Sequence, residues 1–256
     1  MARMAATNKT FASEKSLNSR QNVTAVRGAS IFWGILLRKE RWGLSWRGRA
    51  VMALAVLLAG WGLALNLHKF LAVTHRVPAK VLVVEGWVHF YGVDAAVNEF
   101  KSGHYERILT TGGPVEGIGA SSSIYDTDAW QSAELLVKAG LSAADVQSVP
   151  SRFVGRDRTY NSAVTLRNWF HEQGLKAGSI NVLTEDAHAR RTRLLFQEVL
   201  GPGVEVGIIS AANPAYDASH WWRSSDGVRE NLSEGIAYVY AKFFFWPPKA
   251  TNEDGR

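Results

Sequence analysis

Two kinds of apolar pattern divide this chain. Between Arg49 and His68 runs AVMALAVLLAGWGLALNL, with no charge and one strongly polar residue, Asn66. As a helix these 18 residues rise about 27 Å, close to the hydrocarbon thickness of a bilayer. A core helix of this length keeps a polar face, and this one has none, so the pattern predicts a membrane-spanning helix over 50–67. Gly60 and Gly62 suit a spanning helix better than a soluble one. Trp61 falls inside the span rather than at an end, where interfacial tryptophans sit.

From Lys80 onward the pattern changes. Short β-branched runs alternate with segments of helical spacing, and glycines close most of them. Strands are predicted at Val81–Val84, Arg107–Thr111, Val146–Val149, Ile180–Leu183 and Val204–Ile209. Helices are predicted at Gly92–Ser102, Thr127–Ala139, Thr159–Gln173, Arg190–Leu200 and Gly227–Phe244, the last ended by Pro247-Pro248. Wholly apolar strands between helices imply right-handed crossovers and a sheet covered on both faces. The expected fold is α/β, a Rossmann-like three-layer sandwich with a mainly parallel sheet over 78–246, preceded by one N-terminal transmembrane helix. Residues 247–256 read as a disordered tail.

Charge refines this picture. Residues 1–49 hold 10 basic and 2 acidic side chains, whereas 50–256 hold 19 and 21. The sandwich is close to neutral, so nucleic acid is not an expected partner despite a pI near 9.6. The basic cluster Arg38, Lys39, Arg41, Arg47 and Arg49 predicts a single-pass arrangement with the N-terminus in the cytoplasm and the main domain outside it. A cleaved signal peptide would need a 49-residue charged region and has no small-x-small site after its apolar run, so an uncleaved anchor is preferred. Residues 1–49 read as a basic, largely disordered segment, with Ser30–Leu37 as an amphipathic lead-in along the inner surface.

Several chemistries are excluded. Without cysteine there is no disulfide, thiolate metal site or cysteine nucleophile. No G-x-G-x-x-G, P-loop, G-x-S-x-G or H-E-x-x-H occurs, and the seven histidines are scattered, so neither a zinc site nor any particular cofactor is indicated. In parallel sheets ligands sit beyond the carboxyl ends of the strands, which here present Glu85 and Gly86, then Gly112 and Gly113, then Arg156, Asp157, Arg158, Thr159 and Asn161, then Glu185, Asp186, His188, Arg190 and Arg191. Arg190, Arg191 and Arg193 cannot all face one site. Gly112-Gly113 reads equally well as a ligand cradle or a plain turn, and Asp157 or Thr159 as a cap or a ligand contact. The pair Trp221-Trp222 either floors a pocket or seals the last helix. Glu230 and Glu234 share a helix face, from which Glu234 would face His188.

The runs VLVVEGW, ILTTGG, DRTYNSA and VLTEDAHARRTRLLF, in this order and spacing, resemble the YdcF/SanA/ElyC-like family, catalogued as domain of unknown function 218. The similarity covers about Lys80 to Phe244. It implies a Rossmann-like domain, often held by an N-terminal membrane helix in bacteria and so at the bacterial inner membrane, linked to cell-envelope integrity and to peptidoglycan or polysaccharide biogenesis. By position, Gly86, Gly112 and Gly113 match the family's glycine loops and Thr159 its helix-entry threonine. His188 and Arg191 match an H-x-x-R pair, and Glu234 a glutamate of the last helix. Many members carry S-x-x-T-x-E-N where this chain reads Arg156, Thr159, Asn161 and Ser162, so the family carboxylate is missing and Asp157 is its nearest replacement. The expected site therefore has His188, Asp157 and Glu234 moving protons. Glu85, Gly86, Gly112, Gly113, Arg158, Thr159, Asn161 and Arg191 would hold an anionic saccharide or lipid-linked ligand. An enzyme acting on such intermediates and a non-catalytic binding or escort module are both consistent with this set.

Overall fold

The computed structural model describes residues 30–31, 36–37, 43–115, 123–153 and 155–247. The disorder expected for 1–29 and for 248–256 lies outside the described residues. The chain divides into two units, 1–59 and 60–256. In the first, the two-residue strands Ser30–Ile31, Leu36–Leu37 and Gly43–Leu44 pair antiparallel in that order. The described part of the expected lead-in is thus paired extended chain.

Helix α1 spans Trp46–Leu71, longer at both ends than the apolar run. Its start is set by Ser45, whose hydroxyl accepts the amide of Gly48 at 3.2 Å, as an N-cap does. The one polar residue of the run is satisfied internally, with Asn66 Nδ2 donating to the Gly62 carbonyl at 2.8 Å. The helix is long and apolar enough to cross a membrane, and the side chains from Val51 to Leu58 are exposed.

The second unit holds a five-stranded parallel sheet: β1 (Val81–Glu85), β2 (Arg107–Gly112), β3 (Val146–Pro150), β4 (Ser179–Glu185) and β5 (Glu205–Ala211). The spatial order is β3-β2-β1-β4-β5, with all neighbours parallel. Between the strands run α2 (Phe90–Ser102), α3 (Asp128–Lys138), α4 (Arg158–Glu172) and α5 (Ala189–Leu200), and α6 (Ser225–Phe243) follows β5. Strand residues alternate between two cores. Leu82, Val84 and Ile108 face Val93, Val97 and Leu136 of α2 and α3, while Val83, Leu109 and Val182 face Leu166, Phe170 and Phe196 of α4 and α5. Apolar side chains on both faces explain why the strands read as unbroken hydrophobic runs. The expected Rossmann-like α/β fold is the fold observed.

The link between α1 and β1 is bound to the sheet. His75 exchanges both backbone hydrogen bonds with Ile208 on the outer edge of β5, at 2.7 and 2.8 Å. Asn181 on β4 accepts the Val77 amide at 2.9 Å and donates to the Val77 carbonyl at 2.8 Å, standing in for a strand. Its side chain crosses β5 at Gly207, where a Cβ would lie 1.9 Å from Asn181 Oδ1. Only glycine admits this crossing. Gly207→Ala and Asn181→Ala should each lower stability by about 2 kcal/mol, since both strand the buried amide and carbonyl of Val77. The double variant should cost about as much as either single, because one contact is lost in all three. Urea denaturation of the full chain in detergent measures all three values, and additive losses would show the two residues acting separately.

Candidate functional site

Strand order reverses beside β1. Its chain continues toward β2 and β3, while that leaving β4 continues toward β5, so the loops beyond the two strands part and open a crevice. An open cavity of about 1470 Å³ lies there, lined from α2, the α4 and α5 entries, the 213–215 loop and α6.

His188 ends a 3-10 turn, Asp186–His188, directly after β4. Its Nδ1 lies 3.0 Å from Glu234 Oε1 on α6, and Arg191 Nε donates to Glu234 Oε2 at 2.8 Å. Burial would raise the pKa of Glu234, but hydrogen bonds and charge from His188 and Arg191 outweigh it and hold the carboxyl down to about 2. Arg191 Nη2 also lies 3.0 Å from Nδ1 and 3.3 Å from Nε2, so the ring is held between the guanidinium and the Glu234 carboxylate. Nε2 lies 3.3 Å from the Thr159 hydroxyl, at the start of α4, and 3.7 Å from Glu85 Oε2. Glu85 is buried at the end of β1 and accepts from Thr192 Oγ1 at 2.8 Å. The ring thus has one carboxylate against Nδ1 and a second 3.7 Å from Nε2, each placed to stabilise an imidazolium. Trp87 closes on it edge-on, with ring centroids 4.7 Å apart.

The remaining expected residues separate into two groups. Asp157, Arg158, Thr159, His188, Arg191 and Glu234 all line the cavity, and Glu85 lies beneath His188. Asp157 makes no capping bond and sits in the left-handed region at φ 61°, a conformation that costs a non-glycine residue about 1 kcal/mol or more. Its charge acts on Arg191, whose pKa rises because the bond to Glu234 and nearby carboxylates outweigh desolvation. Gly86, Gly112 and Gly113 do not line the cavity. A Cβ on Gly86 would lie 2.5 Å from the backbone of Asp128, and one on Gly112 would lie 2.7 Å from the Asp128 side chain. Gly113 accepts the Asp128 amide at 2.9 Å. These glycines let α3 start against the strand ends. Asn161 likewise turns away from the cavity and donates to the Arg156 carbonyl at 3.2 Å. Trp221 and Trp222 are not a pocket floor either. Trp221 Nε1 donates to the Ala64 carbonyl of α1 at 2.8 Å, and Trp222 packs on Trp61 at 6.2 Å.

The cavity is not a cationic trap. Among the described residues its lining includes six carboxylates against four guanidinium groups. Arg158 pairs with Asp128, and Arg191 with Glu234, so both expected anion-holders already have carboxylate partners. An anion at Arg158 or Arg191 would share the guanidinium group with these partners. Glu230, one turn before Glu234, has the opposite tendency. Burial, Asp186, Glu185 and Glu234 raise its pKa against the lowering bond from Asn213 at 2.9 Å. Two carboxylates on one helix face are thus driven to opposite protonation tendencies, an arrangement found where acid and base roles are divided.

Sequence reasoning missed a buried cluster beneath the site. His68 Nε2, in the last turn of α1, lies 3.0 and 3.1 Å from the Asp186 carboxylate, to which the Tyr216 hydroxyl also donates. Asp186 holds a positive φ of 35° two residues before His188. No group of three or more histidine, aspartate or glutamate side chains suited to a metal ion occurs among the described residues.

Glu234 gives a pH signature. Its pKa is lowered by folding, so its contribution is full above the ordinary carboxyl value of 4.5 and drains away as pH falls toward about 2. Glu234→Gln should cost on the order of 3 kcal/mol near neutral pH and almost nothing near pH 2. Denaturant unfolding of both proteins across this range gives the difference, and a constant gap would remove Glu234 from the acid response. No family model matches this chain, and no characterised protein matches it either.

Proposed function

We propose that the chain is a membrane-anchored, extracytoplasmic protein of the bacterial cell envelope that acts on a saccharide-bearing, lipid-linked intermediate, with His188 as its proton-transfer group. The observation that carries this reading is His188 itself. Its Nδ1 is committed to Glu234 and its Nε2 is aimed between the Thr159 hydroxyl and Glu85 beside a large open cavity. A base so oriented draws a proton from a hydroxyl, either that of Thr159 or that of a ligand placed against it, and Glu85 stabilises the imidazolium that results. The lining supports a sugar: carboxylates accept from hydroxyls, and Trp87, Tyr160 and Phe245 offer flat apolar faces. Arg158 and Arg191 then serve the phosphate or carboxylate of the ligand, sharing it with Asp128 and Glu234. The apolar α1 and the basic residues before it support the anchor and its orientation. The resemblance of the strand-end motifs to the YdcF/SanA/ElyC-like family supports the envelope setting.

A second reading, a binding or escort module without chemistry, is favoured by the prior pairing of both arginines, which suits reversible capture more than charge stabilisation in a reaction. One experiment separates the two. The full chain in detergent is given polyprenyl-diphosphate-linked saccharides, and binding and product formation are both followed. Turnover should fall by about 100-fold or more in His188→Ala, with binding changed only a few-fold. Saturable binding without product in the native chain establishes the escort reading, and full turnover in the variant removes His188 from the mechanism.

A further inference from the structure

We propose that α6 is a second membrane-contacting element, its outer stripe resting in the outer leaflet beside the end of α1. The inference rests on α1 spanning a bilayer. Leu232, Ile236, Val239 and Phe243 recur at spacings of four, three and four, which places them within about 60° of arc on a helix. They are 46%, 74%, 47% and 68% exposed, and Phe244 and Trp246 continue the apolar surface beyond the helix end. A contiguous stripe of large apolar side chains is not left to water without a partner.

The neighbours of the stripe identify that partner. On one side of it, Gly235 faces Leu67 of α1, with its Cβ position 3.5 Å from Leu67 Cδ1, and the Tyr238 ring meets Phe70 edge-on at 5.3 Å. On the other side, Ala237, Tyr240 and Ala241 line the cavity. Passing round α6, the order is therefore the α1 contact, the apolar stripe and the cavity wall. Leu63, Leu65 and Phe70, in the last turns of α1, are exposed as well. Lipid around those turns also meets a stripe that begins one residue position away from their contact with α6. Exposed Lys69 lies in the last turn of α1, where its ammonium can reach headgroups while the stem stays apolar. The end of the hydrocarbon then falls at this last turn, where α6 meets α1. The cavity mouth then borders the membrane, so a ligand with a prenyl tail reaches His188 while its tail stays in lipid.

The absence of native cysteine makes the test direct. Full chain carrying a nitroxide at Ile236→Cys or Phe243→Cys is reconstituted in phosphatidylethanolamine–phosphatidylglycerol vesicles, with Leu57→Cys as a span control and Lys176→Cys as an exposed control. All four sites lie on the surface of the fold, so the substitutions leave its core intact. Power-saturation spectroscopy then compares relaxation by oxygen with relaxation by a water-soluble nickel chelate. Labels at 236 and 243 should match Leu57, with oxygen dominant, and the Lys176 label should show the reverse. Nickel-dominant relaxation at 236 and 243 with oxygen-dominant relaxation at Leu57 overturns the α6 contact and leaves the spanning reading intact. Nickel-dominant relaxation at Leu57 as well overturns both. Labels at 236 shielded from both agents and broadened by a second spin would show that another copy of the chain covers the stripe, which also overturns the proposal.

Discussion

The reversal of strand order beside β1 is the constraint on which the rest of this structure depends. A parallel sheet whose crossovers all ran in one direction would close its strand ends under successive loops. Here the chain leaves β1 one way and β4 the other, and the side chains at the two strand ends meet across the gap. Glu85 comes from one and the His188 turn from the other, and neither strand alone could place a carboxylate beside an imidazole at this depth.

What fills the gap is governed by charge balance more than by shape. His188 and Arg191 hold the Glu234 carboxyl down against its burial, whereas burial and the neighbouring carboxylates push Glu230 up. The two groups belong to consecutive turns of one helix, so the difference arises from what the rest of the fold brings to each. Arg158, Arg191 and Arg229 are each paired with a carboxylate. The site therefore offers many hydrogen-bond acceptors and few free positive charges, a balance suited to hydroxyl-rich ligands.

The architecture was readable because its signals are local. Four-residue β-branched runs marked buried strands, and Gly103, Gly140, Gly174 and Gly201 marked the ends of segments. The strand-end rule then gathered Asp157, Arg158, Thr159, His188 and Arg191 around one cavity without knowledge of any contact, and helical spacing added Glu234. What stayed hidden depends on pairs distant in sequence. His68 and Asp186 are 118 residues apart, and nothing in either neighbourhood announces the other. Glycines were ambiguous for a different reason. A missing Cβ admits a phosphate and a helix backbone equally well, and only the position of Asp128 shows which of them came close. Trp61 read as an isolated residue of the apolar run because its partner, Trp222, lies far along the chain.

The joint between α1 and the sandwich has a mechanical meaning. Leu71 is fully buried, His68 is held by Asp186, and the chain after them is laced to β5 before β1 begins. No slack tether separates the last turn of α1 from the sheet. Were His188 to act on a lipid-linked ligand as proposed, such a mounting would hold the ring at one height, like a tool bolted to a bench. Ligands would then be sorted by how far their reactive group stands from its own anchor, a ruler-like discrimination that no residue inside the pocket has to supply.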